Sequence, residues 1–370
     1  MAESGDIEAQ FVLGMEYEFY TDNLEEAKKW YRKALEHPKE EKSFSKINDA
    51  RYSAKQRLDA LLEKEERDQK ERELKKQAES GDSKALNKLG VLYFHEGYGG
   101  SVEEDAEKSE FGREQAGEKG ERVFTYKTFH YCIKTKWDKF VDLFKKAAEK
   151  GYVPAMYNLG MCYDNGWAAT DENEDSAEPD AKKARAWWKK AANLGDADAM
   201  VALSHSLILL GDVCFSHRHD PAWHKHLYEK YNKQAIKWML KAAELGHKKA
   251  IGDLYSSYKF YQYSFMDFEK SAEWGVKAKE KGISSGFEKL TQENFEELSQ
   301  TGLYAYERLI KAVLLYKGII FEQDKTKAKE ALEIFIKEYE KKPKHKDEDD
   351  NFMDEKHLNE AKRLLNKWCF

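Results

Sequence analysis

The chain has 370 residues, of which 36% are charged and 13% aromatic, and a formal net charge of −6 at pH 7. No apolar run approaches the roughly 20 residues that cross a bilayer, and lysines finely mixed with Asp and Glu leave no basic face for a nucleic acid. Cys132, Cys162, Cys214 and Cys369 sit in unrelated contexts, so a disulfide framework is not expected and a reducing, cytoplasmic setting is.

Chain order starts with Gly5, Ala9, Leu13 and Gly14. This skeleton begins close to Met1, so no signal peptide is expected. It returns as Gly81, Ala85, Leu89, Gly90 and as Gly151, Ala155, Leu159, Gly160. Gly195, Ala199, Leu203, Ser204 and Gly246, Ala250, Leu254, Tyr255 keep the frame with the last position changed. Offsets of four and eight hold one helical face, so each unit opens with a helix presenting small residues. Self-similarity at a fixed register marks a stacked repeat array.

A second helix closes each unit. Ala147, Ala191, Ala242 and Ala278 each stand four before the next glycine, and Trp187, Trp238 and Trp274 stand eight before it. Ala34 and Trp30 obey the same count from Pro38. Asn23, Asp180 and Asp267, with Asn232 one residue off, fall where a helix start needs a side-chain oxygen for its free amides. The glycine that follows suits a left-handed stop. Each unit is therefore predicted to be an antiparallel helix pair, with its Trp and Tyr residues packing helix on helix.

AESGD…A…LG..Y followed by D..KA..WW.KAA..G resembles the Sel-1-like repeat, a relative of the tetratricopeptide repeat. The tyrosine which that family places twelve after the opening glycine is present as Tyr17, Tyr93, Tyr163 and Tyr258, with Leu207 once in its place. The resemblance covers about residues 2–37 and 78–282. Residues 39–76 are poor in the motif and read as a degenerate, charged helix pair, since Gly5 and Gly81 lie two units apart. The resemblance implies an all-α, right-handed α-solenoid superhelix of stacked antiparallel helix pairs. It also implies an adaptor or scaffold role without catalytic residues; some bacterial members neutralise toxins.

Three segments interrupt the pairs, at about 97–135, 167–179 and 212–230, and all should leave the array as loop insertions on one edge. The end of the first winds into its helix, with Tyr126, His130, Ile133, Trp137, Phe140 and Phe144 at helical spacing. Cys214, His217, His219, His224 and His226 are the candidates for a metal site, because thiolate and imidazole suit zinc. Their spacing matches no zinc pattern, so no metal is assigned. Asp171, Asn173 and Asp175 begin like a calcium loop, but Ser176 and Lys182 stand where glycine and glutamate are needed. The glycines from Gly112 to Gly120 lack the phosphate-loop lysine. No cofactor and no catalytic residue is expected.

In such arrays the first helix of each unit lines the concave side. By resemblance to tetratricopeptide arrays, the positions three, six, ten, thirteen and fourteen after the glycine face a ligand. They hold Glu8, Phe11, Met15, Glu18 and Phe19, then Lys84, Asn87, Val91, Phe94 and His95. Pro154, Tyr157, Met161, Asp164 and Asn165 follow, then Asp198, Val201, His205, Ile208 and Leu209. Lys249, Gly252, Ser256, Lys259 and Phe260 close the series. From these, Phe11, Met15, Phe19, Phe94, Tyr157, Met161, Asp164, Asn165, His205 and Phe260 are the expected partner-binding residues, aromatic and methionine side chains suiting a protein segment. The competing reading is that such apolar side chains pack onto the adjacent unit.

Past 282 the motif drifts. FEKLTQENFEELSQ reads as a helix, and a pair follows with Asp324 as cap and Ala328 in register. The last helix, Phe352–Trp368, carries Leu358, Ala361, Leu364, Leu365 and Trp368 in one stripe, as a capping helix would. The organisation expected is a repeat array over 1–282 and divergent helix pairs with the cap over 283–370. The function expected is a non-catalytic protein–protein scaffold or adaptor acting through the groove, the inserted loops or both. A toxin-neutralising inhibitor, or a metal-binding protein built on 214–226, stands as an alternative. The partner is a protein, with no nucleic acid or membrane, and the chain a monomer or weak homodimer.

Overall fold

Glycines punctuate the helix pairs of this chain. The computed structural model describes residues 2–36, 46–97, 137–168, 179–216, 221–259, 266–283, 305–341 and 348–368. These form α-helices and no strand: α1 (Ile7–Phe19), α2 (Leu24–Glu36), α3 (Lys46–Glu79), α4 (Ser83–Gly97), α5 (Trp137–Glu149), α6 (Val153–Asp164) and α7 (Ala181–Asn193) come first. Then follow α8 (Ala197–Ser216), α9 (Pro221–Glu244), α10 (Lys248–Lys259), α11 (Phe268–Glu280), α12 (Ala305–Lys317), α13 (Lys325–Lys341) and α14 (Glu348–Lys367). The hairpins α1–α2, α4–α5, α6–α7, α8–α9, α10–α11 and α12–α13 stack in order from α4 onward, giving an α-solenoid of helix pairs.

The turn between units is the same each time. Gly81, Gly151, Gly195 and Gly246 hold φ between +85° and +93°, the left-handed region that glycine enters without a Cβ clash. The amide after the glycine reaches back to the alanine four before it: Tyr152 to Ala147 at 3.1 Å, Asp196 to Ala191 at 3.2 Å, His247 to Ala242 at 3.0 Å. That is the Schellman arrangement. In two of the three the same residue then caps the next helix with its side chain: Asp196 Oδ1 accepts from Ala199 N at 2.8 Å and His247 Nδ1 from Ala250 N at 3.2 Å; Tyr152 makes no such bond.

The turn inside a unit has its own fastener. The amide of the second helix's cap donates to the carbonyl of the repeat tyrosine: Asn23 to Tyr17 at 3.0 Å, Asp180 to Tyr163 at 2.8 Å, Asp267 to Tyr258 at 2.9 Å. The bond forms whether the intervening segment is short, as in the first unit, or long, as between Tyr163 and Asp180. An insertion therefore leaves from a closed base and costs the pair little. Asn23, Asp180, Asp267 and Asp324 all cap as the sequence predicts.

The unit of α8 and α9 departs from this. Where a loop insertion at 212–230 is expected, both helices continue, α8 to Ser216 and α9 back to Pro221. Asn232 is consequently no cap. It lies inside α9, fully buried, near Gly211, and neither of its side-chain polar atoms has a partner among the described residues. A buried amide without hydrogen bonds is a net cost. Asn232→Leu is expected to raise stability by about 1–2 kcal/mol in chemical denaturation; a loss would mean the amide is satisfied.

Residues 39–76 do not form the expected pair either. α3 is one helix of 34 residues, because no glycine or proline interrupts 46–80. Its middle, Leu62–Glu73, is charged apart from Leu62 and Gln69, with acid–base pairs at i,i+4 that support an exposed helix, such as Glu71 with Lys75 at 2.5 Å. Ala54, Leu58 and Leu61 join a small core with Ala27, Tyr31 and Ala34. Leu74 belongs to another, with Ala85 and Leu89. The buried stripe has turned by nearly half a turn between them.

The main core runs from α4 to α11, and a second joins α10 and α11 to the C-terminal helices. There α14 buries Ala361, Leu364 and Trp368, Trp368 stacking on Tyr316 at 4.1 Å. Arg363 and Lys367 pair with Glu269 of α11, which holds that carboxyl below its usual range despite burial. The helix expected at 287–300 lies outside the described residues.

Candidate partner-binding groove

The opening helices of three consecutive units, α6, α8 and α10, meet around one concavity. Tyr157, Met161 and Asp164 line it from α6, and Asp198, Val201, His205 and Leu209 from α8. His247 and Lys249, at the start of α10, close the far side. Apart from His247, these stand at positions the repeat register assigns to the concave face; Ala202 and Ser206 of α8, which also line it, do not.

Trp188 of α7 forms the floor. Its indole N–H donates to the Tyr157 carbonyl at 3.2 Å, possible only because Gly160 lets the ring lie on the α6 backbone. Between α8 and α10 two imidazole–carboxylate pairs cross the groove wall, His205 Nε2 to Asp253 Oδ2 and His247 Nε2 to Asp198 Oδ1, both at 2.9 Å. Lys249 adds a contact to Asp253 at 3.4 Å. Burial pushes the Asp253 carboxyl up, but the His205 bond and the His205 and Lys249 charges outweigh it and hold it below its usual range. Between α4 and α6 the fully buried Asn158 amide donates to Asn87 Oδ1 at 2.9 Å. The groove is thus framed by polar bonds between units and is rigid enough to present a surface.

Four of the ten expected residues come together here: Tyr157, Met161, Asp164 and His205. Asn165 sits at the end of α6, where its side-chain amide donates to the Met161 carbonyl at 2.8 Å. Phe94 is core, 0% exposed, against Phe140 and Trp167. Asn87 and Ile208, at positions six and thirteen of their own units, are buried as well. Phe11 and Met15 pack in the small N-terminal core, and the exposed Phe19 lies under Arg57 of α3 at 4.8 Å. Phe260 falls outside the described residues.

Trp167, expected in a rim insertion, is instead buried beside Phe94. Cys214 lies in α8, and His224 and His226 in α9; His217 and His219 are outside the described residues, as are 98–136 and 169–178. Among the described residues no group of three metal-ligating side chains is assembled. Cys162 is fully buried, which pushes its thiol well above the ordinary range. Sequence reasoning missed Trp188, His247 and Asp253. Asn158 and Asp253 share the seventh position after the glycine, a polar signal within an otherwise apolar stretch.

The family model described as Sel1 repeat matches residues 7–38, 83–111, 141–152, 153–196 and 231–247. The chain carries Sel1 repeats. Such repeats are, as a class, scaffolds for protein–protein interaction and generally not catalytic. Among solved structures, a protective antigen present in uropathogenic Escherichia coli strains and displaying an SLR fold is 18% identical, with a TM-score of 0.36; the match covers 98% of this chain and 58% of that one. A Sel1 repeat protein from Oxalobacter formigenes is 18% identical with a TM-score of 0.26, over 72% of this chain and 65% of that one. The chain spans less than two thirds of the length of either. No curated protein matches it. No helix among the described residues of this Sel1 repeat chain is long and apolar enough to cross a membrane.

Proposed function

We propose that the chain is a non-catalytic adaptor that holds a segment of a partner protein in the groove of α6, α8 and α10. The observation behind this reading is the convergence of residues far apart in sequence on one half-polar concavity, with Met161 half-buried and Leu209 61% exposed. A surface of that kind gains by covering apolar area while its fixed polar groups orient the ligand. The groove's imidazoles are held by carboxylates from the neighbouring unit, a stabilising use.

Met161→Glu combined with Leu209→Glu tests this, since both side chains can leave toward water without unfolding a helix. Partner capture is expected to fall about tenfold or more, with the melting temperature little changed. A photo-crosslinking residue at Leu209 should trap the partner, while one at the exposed Lys189 of α7 should not. Equal trapping from both would place the binding surface elsewhere.

A further inference from the structure

We infer that the partner segment held in this groove is cationic and amphipathic, seating apolar side chains against Met161 and Leu209 and turning lysines or arginines to Asp164, Asp198 and Asp212. This rests on the groove reading above and names the chemistry of its occupant.

Asp198, His205 and Asp212 follow one another at seven-residue steps along α8, a drift of only about 20° per step around the helix. They therefore share the groove face. Leu209 and Val213 stand on the same side, 61% and 54% exposed, one helical turn apart. Asp212 neighbours Leu209 at i,i+3, about 60° from it around the helix. A chain that covers the leucine therefore also crowds the Asp212 carboxylate.

Desolvating a carboxylate without a counter-charge costs several kcal/mol, enough to cancel the gain from two aliphatic side chains. A partner carrying a cation at that point escapes the cost, and its lysine or arginine stem adds apolar contact. Burial already pushes the Asp212 carboxyl up. The rest of the groove has the same sign. Asp164 is exposed on α6; Lys249 is engaged with Asp253, and Arg185 donates to Ser206 at 3.2 Å. Asp164, Asp198 and Asp212 thus place three carboxylates on the described groove face, a pattern that favours a cationic segment over an acidic one.

A random dodecapeptide display library selected on the full chain reads this directly. Enriched peptides are expected to carry more basic than acidic residues, interleaved with aliphatic ones. The affinity of a synthesised representative should drop about tenfold or more in Asp164→Asn/Asp212→Asn, and should weaken as salt is raised. The variant's melting curve shows that it remains folded. Neutral or acidic peptides that still lose binding in Met161→Glu/Leu209→Glu would overturn the inference and leave the groove reading standing. Peptides indifferent to that second variant, or no enrichment at all, would overturn both.

Discussion

Gly160→Ala is expected to destabilise the chain by about 2–4 kcal/mol, the range of overpacking where neither side can yield. A Cβ on Gly160 would stand 2.5 Å from Trp188 Cδ1, far inside van der Waals contact. The indole cannot retreat easily, because it is buried and its N–H is fixed on the Tyr157 carbonyl. The same contact recurs at Gly14 against Tyr31 and at Gly90 against Phe144. Adding Trp188→Met should return at least half of the lost stability, measured by chemical denaturation as a double-mutant cycle. A single substitution that costs less than about 0.5 kcal/mol would show that the helices separate freely. Because Tyr157 also lines the groove, the single variant should lose partner binding before it loses its helices.

That rescue copies an exchange of volumes written along the chain. Seven residues before each closing turn stand Tyr31, Phe144, Trp188, Met239 and Gly275; nine after each opening glycine stand Gly14, Gly90, Gly160, Ser204 and Tyr255. Where one is small its counterpart is large, and the last unit inverts the order. The aromatic mark taken from the sequence, one position earlier, behaves differently. Trp187, Trp238 and Trp274 are half-buried, and each lies under the lysine three residues on, at 3.9, 4.5 and 4.1 Å. They are amphipathic outer packing, shielded by cation–π contact, while the inner seam is filled by the residue beside them.

Turns and caps were legible because each is a local event. A glycine must take the left-handed region and an aspartate must meet free amides, whatever surrounds them. α3 was not legible from its spacing, since a distance of two units is equally met by two helices or by one long one. The missing turn residues were the deciding signal. Asn232 misled for a related reason: a capping side chain carries no mark of whether the helix starts there or runs past it. On α6 and α8, where consecutive units follow the rule, most of the register positions face the concavity, and on α10 Lys249 does. On α1, whose next neighbour is α3, Phe11 and Met15 pack in a core instead.

Phe94→Ser sets the largest contrast between buried and presented side chains, with an expected loss of about 3–5 kcal/mol. Phe94 is fully enclosed, edge-on to Phe140 with ring centroids 5.5 Å apart and tilted on Trp167 at 5.3 Å. Serine would leave a cavity between the Phe140 and Trp167 rings and a hydroxyl inside it, two costs that add. Leu209→Ser, at the following position of the register two units on, should cost about 1 kcal/mol or less, since its side chain is mostly in water and only helix preference is lost. The two side chains come from adjacent slots of one predicted ligand-facing set, so the helical stripe alone does not separate them. What separates them is the neighbouring chain: Trp167, arriving from the start of an insertion, covers Phe94, whereas above Leu209 the helices stay open. Denaturation midpoints for the two variants would therefore locate the boundary between core and binding face one register position at a time. A small loss at Phe94 would mean that Trp167 does not close over it and that the open surface extends to α4.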